Sequence, residues 1–223
     1  MSYITGRIFA DPSIPSLPIA ERRAMWTSAL QTLAALHAVD IAKLGLDTYG
    51  KNGGFYTRQI RTLNKIQETQ ARDAGEIPYW NELMRALSNP ARMPTDRTVL
   101  MHGDFKIDNI IFHHNEPRVI GILDWELSTL GHPLADISNL LGPYVTEDTF
   151  EPVMSAEEAV GVYETAAGWG VGGRLKWGLA FGVVRNAVIT QGITARSRRG
   201  QASSARAGEY EKITPKLAGL AKR

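Results

Sequence analysis

The chain has 223 residues, 43% hydrophobic and 22% charged, enough apolar material for one sizeable core with at most an appendage. A formal net charge of +2 is too near balance to select nucleic acid or an anionic membrane as partner. The absence of cysteine excludes disulfides, thiolate metal sites and cysteine nucleophiles.

The N-terminal Met1-Ser2-Tyr3-Ile4-Thr5-Gly6-Arg7 has no basic segment followed by an apolar stretch, and no run approaches about 18 apolar residues. The expectation is an intracellular, cytoplasmic protein without membrane contact. Residues 1–9 read as extended, and Asp11, Pro12, Pro15 and Pro18 then enforce a bend. Trp26, Leu30, Leu33 and His37 recur at spacings of four, three and four, the period of an amphipathic helix ending near His37. Lys51-Asn52-Gly53-Gly54 is a turn, and Phe55, Gln59, Thr62, Leu63 and Ile66 continue a helical pattern that fades near Arg72-Asp73. A short helix is predicted from Tyr79 to Leu87, closed by Pro90 and Pro94.

From Thr98 to Asp124 the apolar residues come in short runs, Val99-Leu100-Met101, Ile110-Ile111-Phe112 and Val119-Ile120-Gly121-Ile122-Leu123, which read as strands around a polar loop. Beyond Pro133 the chain turns helical again, with Ser155 to Glu158 as a capping box. Leu175 to Ile193 is predicted as a largely buried helix. Arg196-Ser197-Arg198-Arg199-Gly200-Gln201 reads as a basic loop before a final helix from about Ala205 to Leu220. No internal repeat is present, and nothing forces a second domain.

The polar loop His102-Gly103-Asp104-Phe105-Lys106-Ile107-Asp108-Asn109 lies between two strands, and Asp124 follows Asn109 by fifteen residues at the end of a third. Phosphoryl transfer needs a carboxylate to orient and deprotonate a hydroxyl, and oxygen ligands to hold Mg²⁺ against nucleotide phosphates. Asp104, Asn109 and Asp124 supply those groups.

The pattern H-x-D-x-K-x-x-N, a strand and then an aspartate resembles the catalytic loop and metal-binding segment of the protein-kinase superfamily. His102-Gly103-Asp104 through Asn109, followed by Ile122-Leu123-Asp124-Trp125-Glu126 and Gly131-His132-Pro133-Leu134-Ala135-Asp136, resembles more closely the aminoglycoside phosphotransferase and choline kinase family. Within it, the wording is most similar to the phosphotransferase domain associated with some acyl-CoA dehydrogenases. The resemblance implies an α+β, mainly α fold: the large C-terminal lobe of a kinase-like structure, spanning 1–223, with residues 98–126 carrying the catalytic and metal segments.

The same resemblance implies the site. Asp104 is the base, Lys106 approaches the transferred phosphate, and His102 completes the catalytic set as a brace of the loop rather than a proton exchanger. Asn109 and Asp124 are the implied Mg²⁺ ligands, with ATP as co-substrate. Asp136 supports the loop and Trp125 packs beneath the metal site. Residues 1–9 resemble the hinge between two kinase lobes, which places Tyr3 and Ile4 against the nucleotide. No small β-rich lobe precedes Met1 in the sequence, so impaired activity is expected of this chain alone. An apolar surface facing that lobe is expected to recruit a second copy or a partner chain.

Other features read as structural. Adjacent His113 and His114 point to opposite faces of a strand, without a third ligand. Gly53 and Gly54 lack the strand and spacing of a nucleotide loop. Trp26, Trp80, Trp169 and Trp177 sit in apolar helical contexts and are assigned to the core. Arg196 to Arg199 reads first as a solvated loop and second as an attractor of an anionic acceptor such as a coenzyme A ester. The function expected is phosphorylation of a small-molecule hydroxyl, with a hydroxyacyl compound as the implied acceptor. The alternative is a catalytically silent binding or regulatory module.

Overall fold

The computed structural model describes residues 4–171, 173–201 and 210–222. Along the chain come α1 (Ile19–His37), α2 (Phe55–Ala74), α3 (Trp80–Leu87), β1 (Val99–Met101), β2 (Ile110–Phe112), β3 (Val119–Ile122) and β4 (Thr129–Gly131). Four helices and a short turn of helix complete the order: α4 (Leu134–Leu140), the four-residue α5 (Pro143–Thr146), α6 (Ala156–Ala167), α7 (Leu175–Arg198) and α8 (Tyr210–Ala221). The mainly helical character and the short strands in the middle agree with the sequence.

Two compact units interleave in the chain: residues 1–53 with 96–173, and residues 54–95 with 174–223. In the first, α1 packs against α6, β1 and β3. Its buried stripe, Met25, Trp26, Ala29, Leu30, Leu33, Ala34 and His37, follows the 3.6-residue period that sets one helical face toward a core. Trp26 is 1% exposed and donates from Nε1 to the Pro12 carbonyl at 3.0 Å, so the proline-rich bend is pinned to the core. The capping box on α6 forms as predicted: Glu158 N donates to Ser155 Oγ at 3.1 Å, and Ser155 N donates to Glu158 Oε2 at 2.8 Å.

The strands make two antiparallel pairs. β2 pairs with β3 in the register Ile110↔Ile122 and Ile111↔Gly121, and β1 pairs with β4 through Leu100↔Leu130. The sequence gives no sign of β4, because Thr129-Leu130-Gly131 has one large apolar residue and no alternation. Arg7 pairs with Phe112 across an isolated bridge, with Arg7 N donating to the Phe112 carbonyl at 2.8 Å. This puts the N-terminal extended segment beside β2.

In the second unit α7 is the central element, contacted by α2, α3 and α8. Phe181, Val184, Ala187, Val188, Gln191 and Ala195 are buried. The basic run does not form a loop: α7 continues through Arg198. Arg199 donates from Nε to Asp73 Oδ2 at 2.8 Å, and Arg198 pairs with Glu211 and with the Asp73 carbonyl. Long-range carboxylates hold these side chains, which local composition could not reveal. The predicted start of the last helix, residues 205–209, lies outside the described residues; the described part starts at Tyr210. Of the four tryptophans assigned to the core, Trp26 and Trp80 are buried, whereas Trp169 and Trp177 are half-buried.

Candidate active site

The polar loop runs from the end of β1 to β2, anchored by two fully buried rings. Phe105 and His102 are both 0% exposed, and their rings meet edge to face at 5.9 Å. Between them Gly103 has φ +86°, and a Cβ there would stand 2.4 Å from the Leu127 carbonyl oxygen. Only glycine fits, on both conformational and steric grounds. Ile107–Asn109 form a 3₁₀ turn, with Asn109 N donating to the Lys106 carbonyl at 3.0 Å, and this turn aims Asn109 back at Asp104.

Asp136, on α4, is 0% exposed and takes both loop amides: His102 N donates to Oδ2 at 2.7 Å and Gly103 N to Oδ1 at 2.8 Å. A charged acceptor satisfying buried backbone donors is a strong constraint on loop shape. The same Oδ2 lies 3.1 Å from His37 Nε2, and His37 Nδ1 lies 2.7 Å from the Tyr163 hydroxyl. A carboxylate can only accept, so His37 carries a proton on Nε2; in the neutral imidazole Nδ1 then accepts from the Tyr163 hydroxyl. Burial first, and then the charge of Asp136, pushes the Tyr163 phenol far above its ordinary value.

His102 links two segments. Its Nδ1 accepts from Asp104 N at 3.2 Å, which puts the proton on Nε2, and Nε2 lies 2.8 Å from the Leu123 carbonyl. With both nitrogens engaged, the ring ties the Asp104 loop to the residue before Asp124. Leu123 N in turn donates to the Asn109 carbonyl at 2.8 Å.

Asp104 is held at both carboxylate oxygens. Asn109 Nδ2 donates to Oδ2 at 3.1 Å and to the Asp104 carbonyl at 2.9 Å. Asn139 Nδ2, one turn beyond Asp136 on α4, donates to Oδ1 at 3.1 Å and to the Phe105 carbonyl at 3.2 Å. Lys106 Nζ lies 3.3 Å from Asp104 Oδ2 and 3.4 Å from Asp108 Oδ2. Partial burial pulls the Lys106 ammonium down, but the two carboxylates outweigh it and the net shift is upward, so the cation persists.

Asp124 does not end a strand. β3 stops at Ile122, and Asp124 takes a left-handed conformation, φ 63° and ψ 59°, before a 3₁₀ turn over Trp125–Leu127. A non-glycine residue there is uncommon, although aspartate tolerates it better than most, and such strain gathers at functional positions. Trp125 is 39% exposed; its ring stands edge-on to His102 at 4.8 Å, and Nε1 donates to the Ile122 carbonyl at 3.0 Å. Trp125 therefore buttresses the loop brace from the surface.

The fit to a divalent cation rests on donor chemistry. Both N–H groups of Asn109 are engaged, which leaves its Oδ1 as the open acceptor, and the exposed Asp124 carboxylate has no partner among the described residues. No cluster of three His, Cys, Asp or Glu that could hold a metal occurs among the described residues. Two oxygen ligands, with water and phosphate completing the shell, suit Mg²⁺. His113 and His114 join no such cluster.

Of the residues the sequence singled out, the structure brings together Asp104, Lys106, Asn109, His102, Asp136 and Trp125, and it attaches Asp124 through Leu123. Ile4 lies beside β3, where its Cδ1 would be 3.3 Å from a Cβ added at Gly121; Tyr3 falls outside the described residues. Sequence reasoning missed Asn139, Tyr163 and the contact made by His37. Asn139 had one available signal: three residues after Asp136 on a helix, it shares that residue's face.

The model of the phosphotransferase enzyme family matches residues 1–172. Acyl-CoA dehydrogenase family member 11 from Gallus gallus is 38% identical over 98% of this chain and 30% of its own length. Across the curated relatives matched, the chain spans 22–30% of their lengths. The solved structure of a candidate aminoglycoside phosphotransferase from Ralstonia eutropha is 34% identical and superposes with a TM-score of 0.89 over 99% of this chain and 70% of that one. Spectinomycin phosphotransferase APH(9)-Ia, solved with ADP and spectinomycin, shares the fold with a TM-score of 0.58 at 14% identity, over 99% of this chain and 69% of its own. With its mainly helical, kinase-like fold and its HGD loop built on Asp136, the chain belongs to the phosphotransferase enzyme family.

Proposed function

We propose that this chain carries the hydroxyl-activating and metal-binding part of an ATP- and Mg²⁺-dependent phosphotransferase acting on a small-molecule alcohol. The observation that carries the reading is the Asp104 carboxylate, fixed at both oxygens by Asn109 and Asn139 and paired with Lys106, in a loop that His102 ties to the residue before Asp124. Catalysis of phosphoryl transfer is mostly positioning and charge compensation, and this constellation supplies both.

Asp104 accepts the proton of the acceptor hydroxyl as its oxygen bonds to the γ-phosphorus, and the bond from that phosphorus to the β–γ bridging oxygen breaks to release ADP. Lys106 keeps a positive charge beside the developing negative charge. Asn109 Oδ1 and Asp124 would hold Mg²⁺, which when bound would supply positive charge against that of the nucleotide phosphates. His102 and Asp136 fix the loop so that Asp104 needs no reorganisation on reaction.

The acceptor class we favour is a hydroxyacyl compound. The relative from Gallus gallus is named as an acyl-CoA dehydrogenase family member. Leu123, Trp125 and Leu127, 37%, 39% and 48% exposed, flank Asp124 with apolar surface suited to an aliphatic chain. The test is transfer of label from [γ-³²P]ATP to a panel of hydroxyacyl acids, their thioesters and aminoglycosides, with Asp104→Asn as control. Label on the hydroxyacyl compounds, reduced about 10²- to 10⁴-fold in the control, is the expected result. Transfer that ignores Asp104→Asn would sink the assignment. No transfer at all with any acceptor would favour a silent binding module.

A further inference from the structure

We infer that Asn139 is a positioning residue for the Asp104 carboxylate, a role that rests on the transfer reading above. The two partners of the Asn139 amide nitrogen are both pure acceptors, Asp104 Oδ1 at 3.1 Å and the Phe105 carbonyl at 3.2 Å. A flipped amide would set oxygen against oxygen at both contacts, so the NH₂ orientation is fixed by its surroundings. Asn109 presents the mirror arrangement, with Nδ2 on Asp104 Oδ2 and on the Asp104 carbonyl. Four N–H groups from two asparagines therefore grip one aspartate and its following peptide, one asparagine on each carboxylate oxygen.

The two asparagines do different work. Asn109 belongs to the same loop as Asp104, five residues away, and moves with it. Asn139 sits 35 residues away on α4, the helix whose Asp136 is fully buried under the same loop. It therefore ties the carboxylate to a fixed element rather than to its own loop. Without it, rotation about the Asp104 side chain is restrained, among the described residues, by Asn109 and by Lys106, which is itself shared with Asp108. A base free to turn is aimed at the acceptor hydroxyl for a smaller fraction of the time, which lowers turnover and leaves nucleotide binding alone.

The test uses Asn139→Leu and the near-isosteric Asn139→Asp in the full chain. The expected result is a fall in kcat of about 10- to 100-fold with unchanged KM for ATP and unchanged Mg²⁺-ATP affinity. The larger loss is expected in Asn139→Asp, whose acceptor oxygens oppose Asp104. A second readout is independent of turnover. The side-chain amide pair of Asn139, assigned in ¹⁵N–¹H spectra by its disappearance in Asn139→Leu, should shift in Asp104→Ala. Wild-type kcat in Asn139→Leu, or an amide pair that ignores Asp104→Ala, overturns the inference. A wild-type chain that transfers phosphate to no acceptor refutes the transfer reading instead, and the amide pair still decides whether Asn139 holds Asp104.

Discussion

Replacing Asp136 by alanine removes the acceptor of two buried backbone N–H groups, His102 N and Gly103 N, and of His37 Nε2. Each buried donor left without a partner costs about 1–3 kcal/mol. The side chain is 0% exposed, so water cannot take its place without a local opening. The three losses share one carboxylate, so the expected destabilisation is about 3–5 kcal/mol, in the range for breaking a buried charge-assisted pair. With a urea slope of about 2 kcal/mol/M, the unfolding midpoint followed by tryptophan fluorescence falls by about 1.5–2.5 M. Asp136→Asn keeps one carbonyl acceptor and should lose roughly half as much. The double variant Asp136→Ala with His37→Leu should lose less than the sum of the singles, because the two changes remove a shared contact. A loss below about 1 kcal/mol for Asp136→Ala, or strict additivity in the double variant, refutes the claim that this carboxylate holds the loop.

Three further outcomes follow from the same geometry. Gly103→Ala forces a Cβ to 2.4 Å from the Leu127 carbonyl at φ +86°, and thermal unfolding should show a loss of about 2 kcal/mol or more; an unchanged melting temperature contradicts the close approach. Burial pushes Tyr144 up to about 12 and Tyr163 higher still. In the unfolded chain both ionise near the ordinary tyrosine value of 10.0, so above pH 10 the native state binds more protons than the unfolded one. Their stabilisation is complete below about pH 10 and is lost as pH rises through the folded-state values. Urea midpoints across pH 8–11 should decline above pH 10, less steeply in Tyr163→Phe; an identical slope in that variant removes Tyr163 from the account. Finally, Arg199→Ala removes an exposed ion pair with Asp73 and should shift the urea unfolding midpoint by no more than the scatter between repeats. A loss well beyond that would show that the end of α7 needs this pair.

What the sequence made legible is local. Asp104 and Asn109 share one polar loop and meet across five residues, and the capping box at Ser155 and Glu158 needs only three residues of context. The helices α1, α2 and α7 declared themselves through spacing of apolar residues. What stayed hidden depends on distance along the chain. His37 meets Tyr163 and Asp136 across 126 and 99 residues, and no pattern near His37 encodes either partner. Arg199 looked like part of a solvated loop because its carboxylate partner, Asp73, lies more than a hundred residues earlier, and the partner of Arg198, Glu211, lies beyond the run. Asn139 was overlooked because a lone asparagine within a helix has many uses, and its amide acquires meaning only when α4 docks beneath the loop. β4 is too short to carry any period, and its existence is decided by pairing with β1.

The most direct test of the central claim is calorimetric titration of the chain with Mg²⁺-ATP, beside the Asp124→Asn variant. Asp124 is exposed and its carboxylate has no partner among the described residues, and asparagine tolerates the left-handed backbone there, so the variant should keep its stability within about 0.5 kcal/mol. Saturable, Mg²⁺-dependent binding in the wild type, weakened at least tenfold in the folded variant, is the predicted result. Equal binding by both proteins, or none by the wild type, contradicts a nucleotide-metal site built on Asn109 and Asp124.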